Sequence, residues 1–255
     1  MLTKPTLVLA LCLLGSGTAQ DARQELQSIQ QEYDQEFAEL LKAAKALGDD
    51  KQAAALFEEF QKTLVPEFAE RFALVARAHP GTEDAFEGWS RVIDLSSQGL
   101  SGERTAEALG ALTRDFLTSE KLESLAINLR FEASVVGEER SIEALRKLAA
   151  GSPHRKVQAA AWYSLAAVLG EERKPDDPRL AEAQQVLARL ASYDDVEALD
   201  GRSYAKAAAA LRFALEHLRP GQLCPDFKAV DAEGAGFQLS DYKGKVVLID
   251  FWGFW

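Results

Sequence analysis

The sequence predicts a mainly α-helical protein, built from helical hairpins, that is followed by the start of a small α/β unit. From Asp21 to Leu218, apolar residues recur at spacings of three and four, which places them on one face of a helix. Capping residues, prolines and glycines divide this region into segments of ordinary helix length. After Arg219 the pattern changes to short runs of β-branched and aromatic residues, which is typical of strands.

Composition limits the classes of function. The 255 residues are 47% hydrophobic, which is enough for one large domain or two modest ones. The formal net charge of −11 argues against electrostatic binding to nucleic acid or to an anionic membrane surface, because both require a basic face. We therefore expect no nucleic-acid partner.

The first nineteen residues resemble a signal peptide. Lys4 supplies the positive start, Leu7 to Leu14 form an apolar run too short to span a bilayer, and small residues precede a cleavage site near Ala19. We expect export to the periplasm or secretion, with no membrane span in the mature chain. Lipidation at Cys12 is the alternative, but Leu11 stands where a lipoprotein signal has a small residue.

Residues 20–79 predict two long amphipathic helices that pack as an antiparallel hairpin. The first ends at Gly48, and the second runs from Lys51 to Ala78, with Pro66 expected to kink it. We interpret the apolar stripes as core; pairing with a second copy through this hairpin is the alternative.

Residues 82–218 predict shorter helices. Thr82 has the character of an N-cap, and Ser152-Pro153 and Asp177-Pro178 each combine a capping residue with proline at the first helical position. The further segments run over Glu103 to Leu117, Glu120 to Val135, Glu138 to Ala150, Pro153 to Leu169, Pro178 to Ser192 and Arg202 to Leu218.

These helices admit two arrangements, irregular hairpins or a solenoid of the tetratricopeptide kind. Trp162-x-x-Leu165-Ala166 resembles part of such a repeat, but the period is not kept elsewhere. We predict irregular, solenoid-like hairpins, with a protein partner for this region as one possible role.

Arg219-Pro220-Gly221 marks the expected boundary of a second unit, residues 220–255. We expect extended pieces at Phe227 to Val230 and Phe237 to Leu239, separated by a turn. Lys245 to Trp252 is apolar on both faces, which predicts a buried strand.

Four ordered motifs in this unit resemble the opening of a thioredoxin-fold domain of the redoxin type. They are P-D-F (225–227), D-x-x-G (231–234), F-x-L-S-D-Y-x-G-K (237–245) and V-V-L-I-D-F-W-G-F-W (246–255). The family includes the alkyl hydroperoxide reductase/thiol-specific antioxidant proteins and the TlpA/ResA-like thiol-disulfide oxidoreductases. In that family a C-x-x-C pair follows the last tryptophan, so we expect this chain to be truncated just before its redox cysteines and inactive as given.

The resemblance implies roles for three residues. Asp250 matches a carboxylate that is buried beneath the cysteine pair and accepts a proton from the second cysteine, which suits a general base. An acid that faces water at a strand end is the alternative. Trp252 and Trp255 match tryptophans that flank the active-site turn, and ordinary core aromatics are the alternative reading of both.

The resemblance implies an exported thiol-disulfide oxidoreductase whose full-length form acts on protein disulfides or dithiols, or with a thioredoxin-like electron donor. A peroxiredoxin-type peroxidase in the full-length protein and a non-catalytic helical interaction module with a redoxin remnant are the alternatives. Cys224 is either a reactive thiol or a small apolar residue of the P-D-F motif; no basic residue adjoins it in sequence to favour its thiolate.

The sequence predicts neither a metal site nor a cofactor. The three histidines, His79, His154 and His217, lie far apart, and none is at ligand spacing with a cysteine or an acidic cluster. No phosphate-binding glycine motif and no serine-hydrolase motif is present.

Overall fold

The computed structural model of the chain describes residues 19–100, 102–171, 173–174 and 176–250. Within them it contains nine α-helices and one two-stranded sheet, so the prediction of a mainly α protein is confirmed. The helices are α1 Ala19–Leu47, α2 Asp50–Ala78, α3 Glu83–Asp94, α4 Glu103–Asp115, α5 Leu122–Val136, α6 Glu138–Gly151, α7 Arg155–Gly170, α8 Arg179–Arg189 and α9 Tyr204–His217. The predicted signal peptide, residues 1–19, lies outside the described residues except for Ala19, the first residue of α1.

Helices α1 and α2 run antiparallel. The ring centroid of Tyr33 lies 5.3 Å from that of Phe68, and the ring centroid of Phe37 lies 5.8 Å from that of Phe60. Residues later in α1 therefore lie beside residues earlier in α2. Asp49 begins α2 by accepting a hydrogen bond of 2.8 Å from the backbone N–H of Gln52.

Helix α7 is the centre of the remaining helices and packs against α5, α6, α8 and α9. From Val157 to Gly170 it carries no charged residue, and most of these side chains are buried. A helix that is apolar on nearly all sides is stable only when other helices surround it. The composition of α7 therefore accounts for its central place.

Polar contacts join successive helix pairs at similar chain separations. Arg130 binds Glu171 at 2.5 Å, Arg146 binds Glu182 at 2.5 Å, and Arg155 binds Asp195 at 2.6 Å, across 41, 36 and 40 residues. Each pair of helices thus stacks on the next with a comparable offset. That the hairpins are irregular and lack a true sequence repeat stays a prediction.

The predicted helix starts had mixed outcomes. Thr82 caps α3 as expected, since its Oγ1 accepts from the backbone N–H of Ala85 at 3.2 Å. The prediction for Ser152-Pro153 was wrong, because α7 begins only at Arg155. Ser152 instead ends α6: its backbone N–H donates to the carbonyl of Leu148 at 3.1 Å.

The chain after Arg219 forms a small hairpin. Strands β1 Lys228–Val230 and β2 Gly236–Gln238 are antiparallel, with Lys228 opposite Gln238, and a 3₁₀ turn follows over Leu239–Tyr242. Of the predicted third strand, Lys245 to Trp252, the described residues 245–250 form no paired strand. Among the described residues β1 and β2 pair only with each other, and a strand without neighbours does not form a ladder. A thioredoxin-like domain is therefore not shown.

Candidate functional site

The segment that carries the redoxin-like motifs is held together by its own polar groups. Asp226 of the P-D-F motif accepts a hydrogen bond of 2.8 Å at Oδ1 from the backbone N–H of Ser240. The backbone N–H of Leu239 donates to the carbonyl of Phe227 at 3.0 Å. The hydrogen bonds from Ser240 lower the pKa of Asp226 because they stabilise its charged form. Two motifs that are distant in sequence are thus joined.

The D-x-x-G motif forms the turn of the hairpin. Asp231 Oδ1 accepts from the backbone N–H groups of Glu233 at 3.1 Å and Ala235 at 2.7 Å. Gly234 has φ +85°, a left-handed conformation that favours glycine. The aspartate and the glycine of this motif therefore have local structural roles.

Asp241 stabilises the turn that follows β2. Its Oδ2 accepts from the backbone N–H of Gln238 at 3.0 Å, and the rings of Phe237 and Tyr242 make an edge contact with centroids 6.1 Å apart. These contacts fix the direction in which the chain leaves the hairpin.

Asp250 is exposed at the end of the unpaired stretch 246–250. Asp250 makes no hydrogen bond or ion pair through its side chain with any other described residue. Its burial beneath a cysteine pair stays a prediction. Trp252 and Trp255 lie outside the described residues.

Cys224 is an exposed free thiol that precedes the hairpin. Its Sγ lies 3.7 Å from the carbonyl oxygen of Pro225, a weak contact within its own backbone. Both the reactive and the structural interpretation of this thiol stay predictions.

The structure also places two carboxylates, Asp94 and Glu132, near each other, which the sequence did not indicate. Ser96 Oγ, in the 3₁₀ turn Leu95–Gln98 that follows α3, donates to Glu132 Oε2 of α5 at 2.5 Å. Burial raises the pKa of Glu132. Burial also raises the pKa of Asp94, which lies two residues before Ser96 in the sequence. The groups come from separate helices, so no local sequence pattern could have predicted the contact.

Two clefts open on the helical body. One, of about 640 Å³, lies between α1 and α3 and contains an ion pair between Arg23 and Asp84 at 3.4 Å. The other, of about 330 Å³, runs along α8 and α9 and is lined by Leu187, Ala208 and Phe213 among others. The described residues contain no cluster of three or more metal-ligating side chains.

None of the helices among the described residues has the length and apolar character needed to cross a bilayer.

Comparison with known proteins supports a redox-related class of function. The chain is 42% identical over 40 residues to the thiol-disulfide oxidoreductase ResA of Bacillus thuringiensis subsp. konkukian (strain 97-27), covering 16% of this chain and 23% of that protein. It is 49% identical over 35 residues to ResA of Geobacillus thermodenitrificans (strain NG80-2), covering 14% and 20%. The chain thus spans about a fifth to a quarter of the length of these curated relatives. No protein-family model and no solved structure matches it.

Proposed function

We propose that this chain is the N-terminal portion of an exported thiol-disulfide oxidoreductase, in which residues 220–255 open a thioredoxin-like domain. The observation that carries the proposal is the similarity of 42–49% over 35–40 residues to ResA, a length close to that of the segment that bears the redoxin-like motifs. The 255 residues contain no C-x-x-C pair, so the reaction requires cysteines outside them.

The unpaired stretch 246–250 supports this proposal. Val246 and Leu248 are 102% and 93% exposed, and Val247 and Ile249 are 42% and 41% exposed. Alternate residues of a strand point to opposite faces, so both faces of this stretch are apolar. A stretch of this kind suits the interior of a parallel sheet with helices on both sides.

The proposed reaction is thiol-disulfide exchange. A thiolate of the cysteine pair attacks one sulfur of a substrate disulfide, which forms a mixed disulfide and releases the other substrate sulfur as a thiolate. The second cysteine loses its proton, attacks the mixed disulfide and releases the reduced substrate, and the pair becomes an internal disulfide. We assign Asp250 as the acceptor of that proton, with Trp252 and Trp255 flanking the reacting sulfurs. The relative reduction potentials decide whether a protein substrate is reduced or oxidised.

The first experiment is to determine the coding sequence beyond the codon for Trp255 and the intact mass of the natural protein. A C-x-x-C pair after Trp255 and disulfide-reductase activity of the full chain are expected. Asp250→Asn should slow release of the mixed disulfide, whereas Glu233→Gln in the exposed hairpin turn should not. A natural protein that ends at Trp255 without a cysteine pair would contradict the oxidoreductase proposal and leave the non-catalytic helical module as the alternative.

Export has its own test. Amino-terminal sequencing of the natural protein is expected to begin near Ala19. Retention of Met1 would contradict export but would not affect the redox proposal.

Peroxide reduction is distinguished by substrate. A disulfide reductase with a C-x-x-C pair consumes a protein disulfide without added peroxide. A peroxiredoxin-type enzyme instead consumes peroxide in proportion to the thiol oxidised.

We also propose that the helical body holds the protein partner of this reaction in the groove along α8 and α9. Phe213 of this groove is 47% exposed, and α9 ends next to the linker to the hairpin. In the full chain Phe213→Glu should raise KM for a protein disulfide while leaving activity on a small disulfide unchanged. The control is Leu199→Glu, at a leucine that is 80% exposed outside the groove.

A further inference from the structure

The distal part of the α1–α2 hairpin, residues 33–60, is defined here as the arm. Only Phe60 is fully buried within it. Leu41 and Leu47 of α1 are 48% and 41% exposed. Two helices that pack only as a pair leave both sides of their seam open to solvent, and the arm is therefore poorly buried by its own chain.

One exposed stripe of α1 is complementary to itself. Asp34, Ala38, Leu41 and Lys45 are spaced at i, i+4, i+7 and i+11, which aligns them on a single face, and all four are exposed. The order along the stripe is acid, apolar, apolar, base. Reversing its direction exchanges Asp34 with Lys45 and Ala38 with Leu41.

This order fits a two-fold axis. When two copies of α1 lie antiparallel, each Asp34 faces Lys45 of the second copy, and each Ala38 faces Leu41 of the second copy. A two-fold interface uses the same surface patch on both subunits, and that patch must be self-complementary. Antiparallel helices with small and large apolar residues in opposition pack closely, and flanking charges fix their register.

The charges of the stripe are available for such a contact. The carboxylate of Asp34 accepts one hydrogen bond of 2.8 Å from Gln30 on its own helix. Lys45 makes no ion pair with any of the described residues. The opposite-charge pairs would form only between copies.

We propose that this chain forms a homodimer through antiparallel pairing of its arms along the stripe from Asp34 to Lys45. The paired part of α1 is only about 20 Å long, at 1.5 Å per residue. An interface of this size belongs to the weak class, so we expect dissociation constants in roughly the micromolar range. The dimer does not depend on the proposed redox function.

Sedimentation of the full 255-residue chain tests the proposal over about 1 to 200 µM, a range that brackets such a dissociation constant. The average mass should rise from monomer to dimer. Asp34→Lys and Lys45→Asp should each weaken the dimer by roughly tenfold, because each creates two like-charge contacts across the axis. The double reversal should restore the dimer, a result that a folding defect cannot produce.

Leu41→Glu should leave the chain monomeric with its helix content unchanged in circular dichroism. The matched control is Leu248→Glu, at an exposed leucine of the C-terminal stretch. Dimerisation that persists in Leu41→Glu but is lost in Leu248→Glu would assign the contact to that stretch and overturn the proposal. A monomeric wild-type chain, or a double reversal that does not restore the dimer, would also overturn it.

Discussion

Replacing Gly88 with alanine tests how closely α3 packs on α2. Gly88 is buried in the middle of α3. A Cβ atom built there would lie 2.9 Å from the carbonyl oxygen of Phe72 and 3.1 Å from the Cβ of Ala76. Both contacts are with the backbone or the first side-chain atom of α2, so neither can be relieved by a side-chain rotation. The two helices must move apart.

The expected magnitude follows from two opposing effects. Alanine is more favourable than glycine in a helix interior by about 1 kcal/mol. Overpacking of a close-packed contact costs about 1–3 kcal/mol. We therefore expect Gly88→Ala to lower the free energy of unfolding by up to about 2 kcal/mol, which lowers Tm by up to roughly 8 °C for a chain of this size.

Gly110 in α4 is the matched control. A Cβ atom there would meet nothing within 4 Å. Gly110→Ala should therefore keep the helix-propensity gain and raise the free energy of unfolding by about 0.5–1 kcal/mol. Urea unfolding followed by far-ultraviolet circular dichroism measures both variants. Equal stabilisation by the two substitutions would refute the close approach of α2 and α3.

Three further predictions concern polar groups. Thr82→Ala should destabilise the chain by about 1 kcal/mol in thermal unfolding through loss of the cap of α3, and an unchanged Tm would contradict this role. Since burial raises the pKa of Glu132 in the folded state, its ionisation opposes folding as pH rises above the unfolded value of about 4.3. Glu132→Gln, which can still accept from Ser96, should be more stable than wild type at pH 7, with the difference gone below about pH 4; equal curves at all pH values would exclude the effect. The pKa of Asp226 is lowered, so its contribution is present above the unfolded value of about 3.9 and is lost as pH falls through the folded value. Hydrogen exchange at the amide of Ser240 should accelerate in that acidic range and in Asp226→Ala at neutral pH, and unchanged exchange would show that the bond does not hold the turn.

Most helices could be predicted from sequence because their signals are local. The periodicity of apolar residues predicted α1 and α2 to within two residues at each end. The helix start predicted at Ser152-Pro153 was wrong because a capping residue next to proline can end one helix as well as begin another. The backbone N–H of Ser152 donates to the carbonyl of Leu148 in the preceding helix, and the sequence around Ser152 does not distinguish the two cases.

The C-terminal motifs also include some features that nearby residues predict and one that they do not. The turn at Gly234 and the two extended pieces beside it follow from residues only a few positions apart, and both formed as expected. The predicted strand from Lys245 to Trp252 requires neighbouring strands that the described residues do not supply. Its apolar residues indicate that both faces are buried, but they do not indicate which elements cover them.

The sequence alone thus determined most of the helices, the local turns and the redoxin-like motif order, because these depend on hydrogen bonds and spacings within a few residues. Only the tertiary structure decided which charged groups are perturbed. Burial of Glu132 beside Ser96 depends on the packing of the 3₁₀ turn Leu95–Gln98 against α5, across 36 residues. Burial and electrostatic environment are properties of assembled helices, and no single stretch of the chain contains them.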